Sequence, residues 1–176
     1  SGAHSIRQRL LSVIGSAAYQ VNISTFHGFC NELIASYPDE FPRIINSKSA
    51  TEIDQIRIIE KIINSGKITK LRPYGDSLYY VWPALKAIRA LKREGITIDD
   101  FNKIIKDEKK QFKSIDDLYY EKGAHKGKMK GKYKQMEHQA EKNKELAAIY
   151  EEYQGQMEEN RFYDYEDMIM ETVIAM

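Results

Sequence analysis

The stretch ISTFHGFCNELIASY, residues 23–37, marks the change from an extended segment to a helix. From Phe26 onward its apolar residues recur at the three-and-four spacing of one helix face, which predicts a helix over 25–37. Thr25 stands at the helix start, where a hydroxyl can cap a free backbone N–H group. His27 follows one residue inside the helix and off the apolar stripe. The junction therefore places two polar side chains at a helix N-terminus.

Most of the remaining chain carries the periodicity of amphipathic helices. Thr51 and Thr97 precede apolar stripes as N-caps, and Thr97 has Asp100 at capping-box spacing. Only Val21–Ser24 reads as a strand, and it is too short to be stable alone. We therefore expect an all-α fold, an irregular multi-helix domain with one short orphan strand near the N-terminus. The predicted helices cover residues 5–14, 25–37, 50–64 and 77–94, segments that begin at Thr97 and Ser114, residues 133–159, and a last segment that Asp164 caps.

The composition is that of a folded globular protein. The chain has 176 residues, of which 42% are hydrophobic and 30% charged, enough for one domain with a buried core. No apolar run approaches the roughly 18 residues of a membrane span. The single cysteine, Cys30, excludes an internal disulfide and is typical of a reducing compartment, so we predict a cytoplasmic protein without a membrane partner. The apolar run at residues 166–176 ends without a cap, which predicts a piece of a longer protein.

Charge is segregated along the chain, although the net charge is only +1. KGAHKGKMKGKYK, residues 122–134, holds six lysines and no acid, whereas residues 151–167 hold seven acids and one arginine. The glycines between the lysines predict a loop or a fraying helix end. Such a tract can follow nucleic-acid phosphates without reading bases, or it can simply be a solvated surface. The candidate phosphate-binding residues are Lys126, Lys128, Lys130 and Lys132.

Motifs for common catalytic and metal sites are missing from the sequence. It contains no G-x-x-x-x-G-K-[ST] phosphate loop, no G-x-G-x-x-G and no H-E-x-x-H. His27 and Cys30 lie at i and i+3, but a cysteine on an apolar helix face is expected to be buried and inert. The other histidines lack the spacing of metal ligands. We therefore predict no catalytic residue, cofactor site or metal site in this chain.

Four segments carry a resemblance to a known family. VNISTFHGFCNELI, residues 21–34, resembles the T-F-H-[SG]-F motif of UvrD/Rep-type superfamily 1 DNA helicases, and IRQRLLSVIG, residues 6–15, is similar to the helix that leads towards it. YYVWPALKAIRALKREGITIDDF, residues 79–101, resembles part of the 1B subdomain of these helicases. LAAIYEEYQGQMEENRFYDYEDMIMETV, residues 146–173, resembles the stretch that closes 1B. The four occur in the family order, so the chain resembles a fragment covering the T-F-H motif and the 1B subdomain.

The resemblance implies a division of the chain and a role for its first motif. Residues 1–25 would be a remnant of the first RecA-like domain, and residues 26–176 a helical 1B-type accessory subdomain. Thr25 and His27 would line the single-stranded DNA channel, at a helix start that also favours a phosphate. Without the resemblance, a capping threonine and a solvated histidine would explain both residues.

The resemblance also implies ligands and partners. The longer protein would be an ATP-dependent DNA helicase of DNA repair, or of the helicase-nuclease branch, with ATP and Mg²⁺ as cofactors. Partners of this chain would be single-stranded DNA, the duplex junction and the RecA-like domains of the same protein, with a dimer formed through the orphan N-terminal segment. Because Walker A and Walker B motifs are absent, the chain alone is expected not to hydrolyse ATP. A helical protein–protein adaptor without a nucleic-acid role stays the alternative.

Overall fold

The structure is a computed structural model that describes residues 2–72, 75–76 and 78–176. The described residues are mostly helical, which confirms the predicted all-α class. No helix among them is both long enough and apolar enough to cross a membrane. The helices and strands are α1 (Gly2–Ile14), α2 (Phe26–Ser36), α3 (Pro42–Ile45), β1 (Lys48–Ser49), α4 (Glu52–Asn64), α5 (Val81–Arg93), α6 (Ile98–Lys113), α7 (Gly131–Glu159), β2 (Phe162–Tyr163) and α8 (Tyr165–Ala175).

The chain folds as two compact units. One comprises Ser1–Ser49 and Tyr163–Met176, and the other comprises Ala50–Phe162. The short strands β1 and β2 pair with each other where the chain leaves and re-enters the first unit. The division after residue 25, which the family resemblance implies, does not coincide with these bounds and stays a prediction.

Helices α4, α5 and α7 build the core of the second unit, and α6 packs against α7. Each of the three core helices turns an apolar stripe inward, as the spacing of its residues predicts. Burying one isoleucine or leucine contributes about 1.5–3 kcal/mol, so this shared core is the main source of stability in the unit. Its most buried side chains are Ile59, Ile63, Val81, Leu85, Ile88, Ile149, Tyr153 and Met157.

Two capping boxes fix where α4 and α6 begin. The Asp54 amide donates to Thr51 Oγ1 at 3.2 Å, and the Thr51 amide donates back to the Asp54 carboxylate at 3.0 Å. In the second box the Asp100 amide donates to Thr97 Oγ1 at 3.2 Å, and the Thr97 amide donates to the Asp100 carboxylate at 3.3 Å. The threonine hydroxyls lower the pKa of both aspartates, because they donate hydrogen bonds to the ionised form. Both predicted N-caps are therefore confirmed.

Helix α2 packs against α8 in the first unit. Its buried face is narrower than the apolar stripe of the sequence, because only Cys30 and Ile34 are buried. Phe26 is 79% exposed, and Phe29 and Tyr37 are exposed as well. Three aromatic side chains of the predicted stripe therefore lie at the surface. The other buried apolar residues of this core are Phe41, Ile44 and Met168.

A short 3-10 helix, Gly15–Gln20, follows α1, and the extended segment after it joins no sheet within the described residues. Gly15 ends α1 with a φ of 59°, in the left-handed region that glycine tolerates, as predicted for a helix C-cap. Val21 (φ −85°, ψ 122°) and Thr25 (φ −79°, ψ 162°) have extended backbones, but residues 21–25 enter no ladder within the described part of the chain. The predicted orphan strand is thus an extended stretch that lacks the neighbour a strand needs.

The sequence predicts helix starts at Ser77 and Ser114. Ser77, the first residue of the helix predicted over 77–94, lies outside the described residues, as do two residues of the turn that proline and glycine predict over 73–76. Helix α5 itself begins at Val81. The short helix predicted from Ser114 is wrong. Ser114 ends α6, and its hydroxyl donates back to the Gln111 carbonyl at 2.8 Å, so it does not cap a following helix.

One carboxylate of α7 fixes the connection between α4 and α5. Glu145 Oε1 accepts hydrogen bonds from the Thr69 amide at 2.9 Å and hydroxyl at 2.7 Å, and Oε2 accepts from the amides of Lys70 at 2.8 Å and Leu71 at 2.9 Å. Burial by itself raises the pKa of Glu145, but these hydrogen bonds outweigh burial and the pKa is lowered. The ionised carboxylate therefore holds the loop through successive amides, as an anion in a backbone nest.

Replacing Glu145 with Ala should lower the free energy of unfolding by about 1.5–3 kcal/mol, because three amides lose a charged acceptor. Urea unfolding followed by circular dichroism measures this loss. Glu141→Ala is the matched control on the same helix. Glu141 pairs with Lys70 at 3.1 Å on the surface, which should contribute less than about 1 kcal/mol. Equal losses from the two variants would contradict the anchoring role.

Candidate nucleic-acid interface

The N-terminus of α2 carries the first candidate residue. Thr25 Oγ1 accepts a hydrogen bond from the Gly28 amide at 3.1 Å, so Thr25 is the N-cap of this helix. The amides of Phe26 and His27 belong to the first turn, where a helix offers no internal acceptor. The Thr25 hydroxyl keeps its own hydrogen for another acceptor. This helix end therefore presents several donors together with the positive end of the helix dipole.

His27 stacks on an aromatic ring from the other end of the chain. Its imidazole lies parallel to the Tyr165 ring, with 5.2 Å between centroids and an interplanar angle of 8°. Tyr165 is the first residue of α8, directly after the N-cap Asp164. The stack orients the imidazole while His27 remains exposed. Sequence reasoning missed Tyr165, because nothing local links two residues so far apart in the chain.

Helix α8, which carries Tyr165, is held by its own cap and by an arginine. The Asp167 amide donates to the Asp164 carboxylate at 2.8 Å in a capping box, which confirms the predicted cap. Arg43 of α3 lies 2.9 Å from Glu171 and 3.6 Å from Asp167. These ion pairs fix the start of α8 within the first unit and so support the ring that faces His27.

Exposed aromatic rings adjoin the helix start. Phe26 and Phe29 line a shallow cleft of about 200 Å³ together with Ser24 and Thr25. Aromatic side chains at the surface give stacking faces for nucleobases, and every base can use them. The α2 N-terminus therefore combines donors for an anion with apolar faces for a base.

The lysine tract forms the end of a hairpin and then enters the start of α7, so the loop that its glycines predict is found over residues 122–128. Tyr119 and Met129 form an antiparallel bridge. The Tyr120 amide donates to the Lys128 carbonyl at 3.0 Å, and the Lys130 amide donates to the Leu118 carbonyl at 3.0 Å. We call residues 118–130 the lysine hairpin. Its backbone pairing fixes the positions of the lysines that it carries.

Asp117 divides the four candidate lysines into two pairs. Lys130 and Lys132 both donate to its carboxylate, Lys132 at 2.6 Å. Their ammonium groups also lie over aromatic rings, at 5.6 Å from the Tyr120 centroid for Lys130 and 4.8 Å from the Tyr133 centroid for Lys132. The remaining pair, Lys126 and Lys128, is exposed at the hairpin end. Sequence reasoning missed Asp117 because the hairpin alone brings it to the lysines.

The pKa of Asp117 is lowered from 3.8 to about 2, because hydrogen bonds from Lys130 and then Lys132 stabilise its ionised form. A depressed folded pKa contributes stability above the unfolded pKa and loses it as the pH falls through the folded value. The clamp on the two lysines should therefore persist at neutral pH and open between about pH 3.8 and 2.

An NMR titration of the Asp117 carboxyl carbon measures this midpoint. Replacing Lys130 and Lys132 together with Ala should return the midpoint towards 3.8, because both donors are gone. A midpoint near 3.8 in the unaltered chain would contradict the clamp.

A family comparison covers the whole chain. The profile of the UvrD/REP helicase N-terminal domain matches residues 1–176. Searches for similar curated proteins and for similar solved structures gave no match. The family match confirms the resemblance carried by the T-F-H junction, and it implies part of an ATP-dependent helicase that acts on DNA with ATP and Mg²⁺. The chain belongs to the UvrD/REP helicase N-terminal domain family.

Proposed function

We propose that the chain is the 1B-type accessory part of a DNA helicase, where it lines the single-stranded DNA channel and helps engage the duplex junction. The observation that carries the proposal is the start of α2, where Thr25 and the stacked His27 stand side by side at an exposed helix end. In a chain of the UvrD/REP family, these are the residues of the T-F-H junction.

A passing DNA strand would find complementary groups at this helix end. The first-turn amides and the helix dipole favour a phosphate. The Thr25 hydroxyl and the His27 imidazole add polar contacts within the same turn, and the exposed ring of Phe26 offers a face to a base. All these contacts address the backbone or the face of a base, so they suit a helicase that must accept any sequence.

The lysine hairpin supplies a second contact in this proposal. Lys126 and Lys128 are exposed and would meet phosphates first. Lys130 and Lys132 would bind a phosphate in competition with the Asp117 carboxylate, to which they already donate. Asp117 therefore lowers the gain in affinity that these two lysines can give.

Nucleotide hydrolysis has no matching residues in this chain. The sequence lacks a G-x-x-x-x-G-K-[ST] loop, and no group of three His, Cys, Asp or Glu side chains in the described ranges is placed to hold a metal ion. In the proposal, RecA-like domains of the same protein supply hydrolysis, and this chain binds and guides DNA.

His27→Ala should weaken binding of a labelled oligothymidylate about 5- to 10-fold, because the loss of one hydrogen-bonding ring removes about 1–1.4 kcal/mol. Thr25→Ser keeps the hydroxyl and should bind as the unaltered chain does. Fluorescence anisotropy of the oligonucleotide measures each affinity. His138→Ala, an exposed histidine on α7, is the matched control. If His27→Ala and His138→Ala bind alike, His27 is not a contact. A chain that binds no oligonucleotide at low salt would favour the helical adaptor instead.

Replacing Lys126 and Lys128 with Ala should flatten the plot of log K against log salt by about 1.4 units, or about 0.7 for each lost phosphate contact on single strands. Replacing Lys130 and Lys132 should change the slope less, because Asp117 offsets part of their charge. Asp117→Asn should tighten binding and steepen the slope.

The same salt titrations on a double variant of two exposed α6 lysines, Lys106→Ala with Lys109→Ala, give the control. Should the slope of the Lys126 and Lys128 variant equal that of this control, the lysine hairpin does not lie in the DNA path.

A further inference from the structure

The single tryptophan of the chain, Trp82, is the second residue of α5, and 52% of its surface is exposed. Lys86, Arg89 and Arg93 follow at four, seven and eleven residues, so the four side chains lie along one face of the helix. We call these four residues the α5 basic face. An indole is a large apolar group that cores normally cover, so its exposure beside three cations indicates a binding surface.

The α5 basic face borders an open cleft of about 640 Å³. Pro83 and Leu85 of the same helix complete its lining. This volume lies in the range of clefts that hold small organic ligands, about 300–1,000 Å³. The cleft therefore offers a flat apolar wall at Trp82 and cationic groups along the rest of its length.

Arg89 is held in place by partners from α4. Gln55 Oε1 accepts from Arg89 Nε at 3.3 Å and Nη2 at 2.9 Å, and Glu52 accepts from Nη1 at 3.3 Å. Gln55 is itself only 5% exposed and donates to the Ala50 carbonyl at 3.3 Å. These bonds use three of the five N–H donors of the guanidinium. Arg89 thus presents a fixed, planar charge, the form best suited to a phosphate.

We propose that the α5 basic face binds an unpaired nucleotide of a DNA strand, with its base stacked on Trp82 and its phosphates against Lys86, Arg89 and Arg93. Among the described residues that line the cleft, three are cations and none is an acid, so the cleft attracts a polyanion. An acidic peptide would use the cations but would leave the indole without a flat partner. The inference rests on the proposed DNA-binding function and adds a third contact to it.

The position of the tryptophan makes the test direct. Because Trp82 is the only tryptophan, indole fluorescence of the unaltered chain reports on this face alone. Titration with an oligothymidylate of roughly a dozen nucleotides should quench it, since a stacked base contacts the ring. Polyglutamate of similar charge should leave the fluorescence unchanged.

Trp82→Ala should weaken oligothymidylate binding roughly 5- to 150-fold in anisotropy, the loss that one base stacking contact gives. Trp82→Phe keeps a smaller stacking face, so its affinity should lie between those of the unaltered chain and Trp82→Ala. Far-ultraviolet circular dichroism checks that each variant is folded. Lys86→Ala should flatten the salt slope by about 0.7 units. Lys109→Ala on the exposed surface of α6 is the matched control and should change neither quantity.

The outcomes separate this inference from the proposed function. If anisotropy shows DNA binding while Trp82 fluorescence stays constant and Trp82→Phe and Lys86→Ala bind as the unaltered chain does, the α5 basic face is overturned and the DNA-binding role stands. If polyglutamate quenches Trp82 as strongly as DNA, the face is a peptide site and the inference is wrong. If no DNA binds, both the inference and the proposed function fail.

Discussion

The ion pairs of Arg43 with α8 close a unit whose parts lie at opposite ends of the sequence. Residues 50–162 separate the two parts in the sequence. Contacts within the first unit must therefore hold the C-terminal part against the N-terminal part. Met168 enters the core beside Cys30, and Arg43 joins Asp167 and Glu171 at its edge. The entropy of closing a longer loop grows only with the logarithm of its length, so a modest core and an ion-pair cluster suffice. Without this closure, Tyr165 would not reach His27.

Several surface cations of this chain are held by neighbouring groups before any ligand arrives. Asp117 binds Lys130 and Lys132, and Gln55 with Glu52 orients Arg89. Partners of this kind reduce the entropy that long side chains lose on binding, but an acidic partner also competes with the ligand. A neutral partner such as Gln55 orients without competing. Arg89 should therefore bind a phosphate more readily than Lys130 and Lys132 do, because most of its hydrogen bonds go to an amide and theirs go to a carboxylate.

Local chemistry decided which elements the sequence could predict. Thr25, Thr97 and Asp164 cap helices within three residues of themselves, and all three caps are found. The helix predicted from Ser114 is wrong because the Ser114 hydroxyl donates to the Gln111 carbonyl in the preceding turn and does not cap a following helix. The periodicity of α4, α5 and α7 likewise predicted most of their inward residues, although Ile53 and Met136 of these stripes are exposed. On α2, however, it overstated the buried face, because a stripe shows which residues are apolar but not how much surface a neighbour covers.

The candidate site was predictable only in part, since its contacts come from distant residues. The family motif singled out Thr25 and His27, and charge singled out the lysines. The Tyr165 ring, the Asp117 clamp and the Gln55 support of Arg89 depend on the folded chain, and no spacing rule links them. Glycine spacing in the lysine tract predicted a loop, which residues 122–128 form, but the bridge between Tyr119 and Met129 that closes it into a hairpin follows from no spacing rule.

The pairing of β1 with β2 has an evolutionary consequence. Paired strands lie about 4.8 Å apart, so the points where the chain leaves and re-enters the first unit are neighbours in space. A segment whose two ends meet can be lengthened, shortened or exchanged without moving the residues that flank it. Residues 50–162 therefore behave as an insertion module. Changes within residues 50–162 during evolution can therefore leave the helix pair that carries His27 and Tyr165 in place.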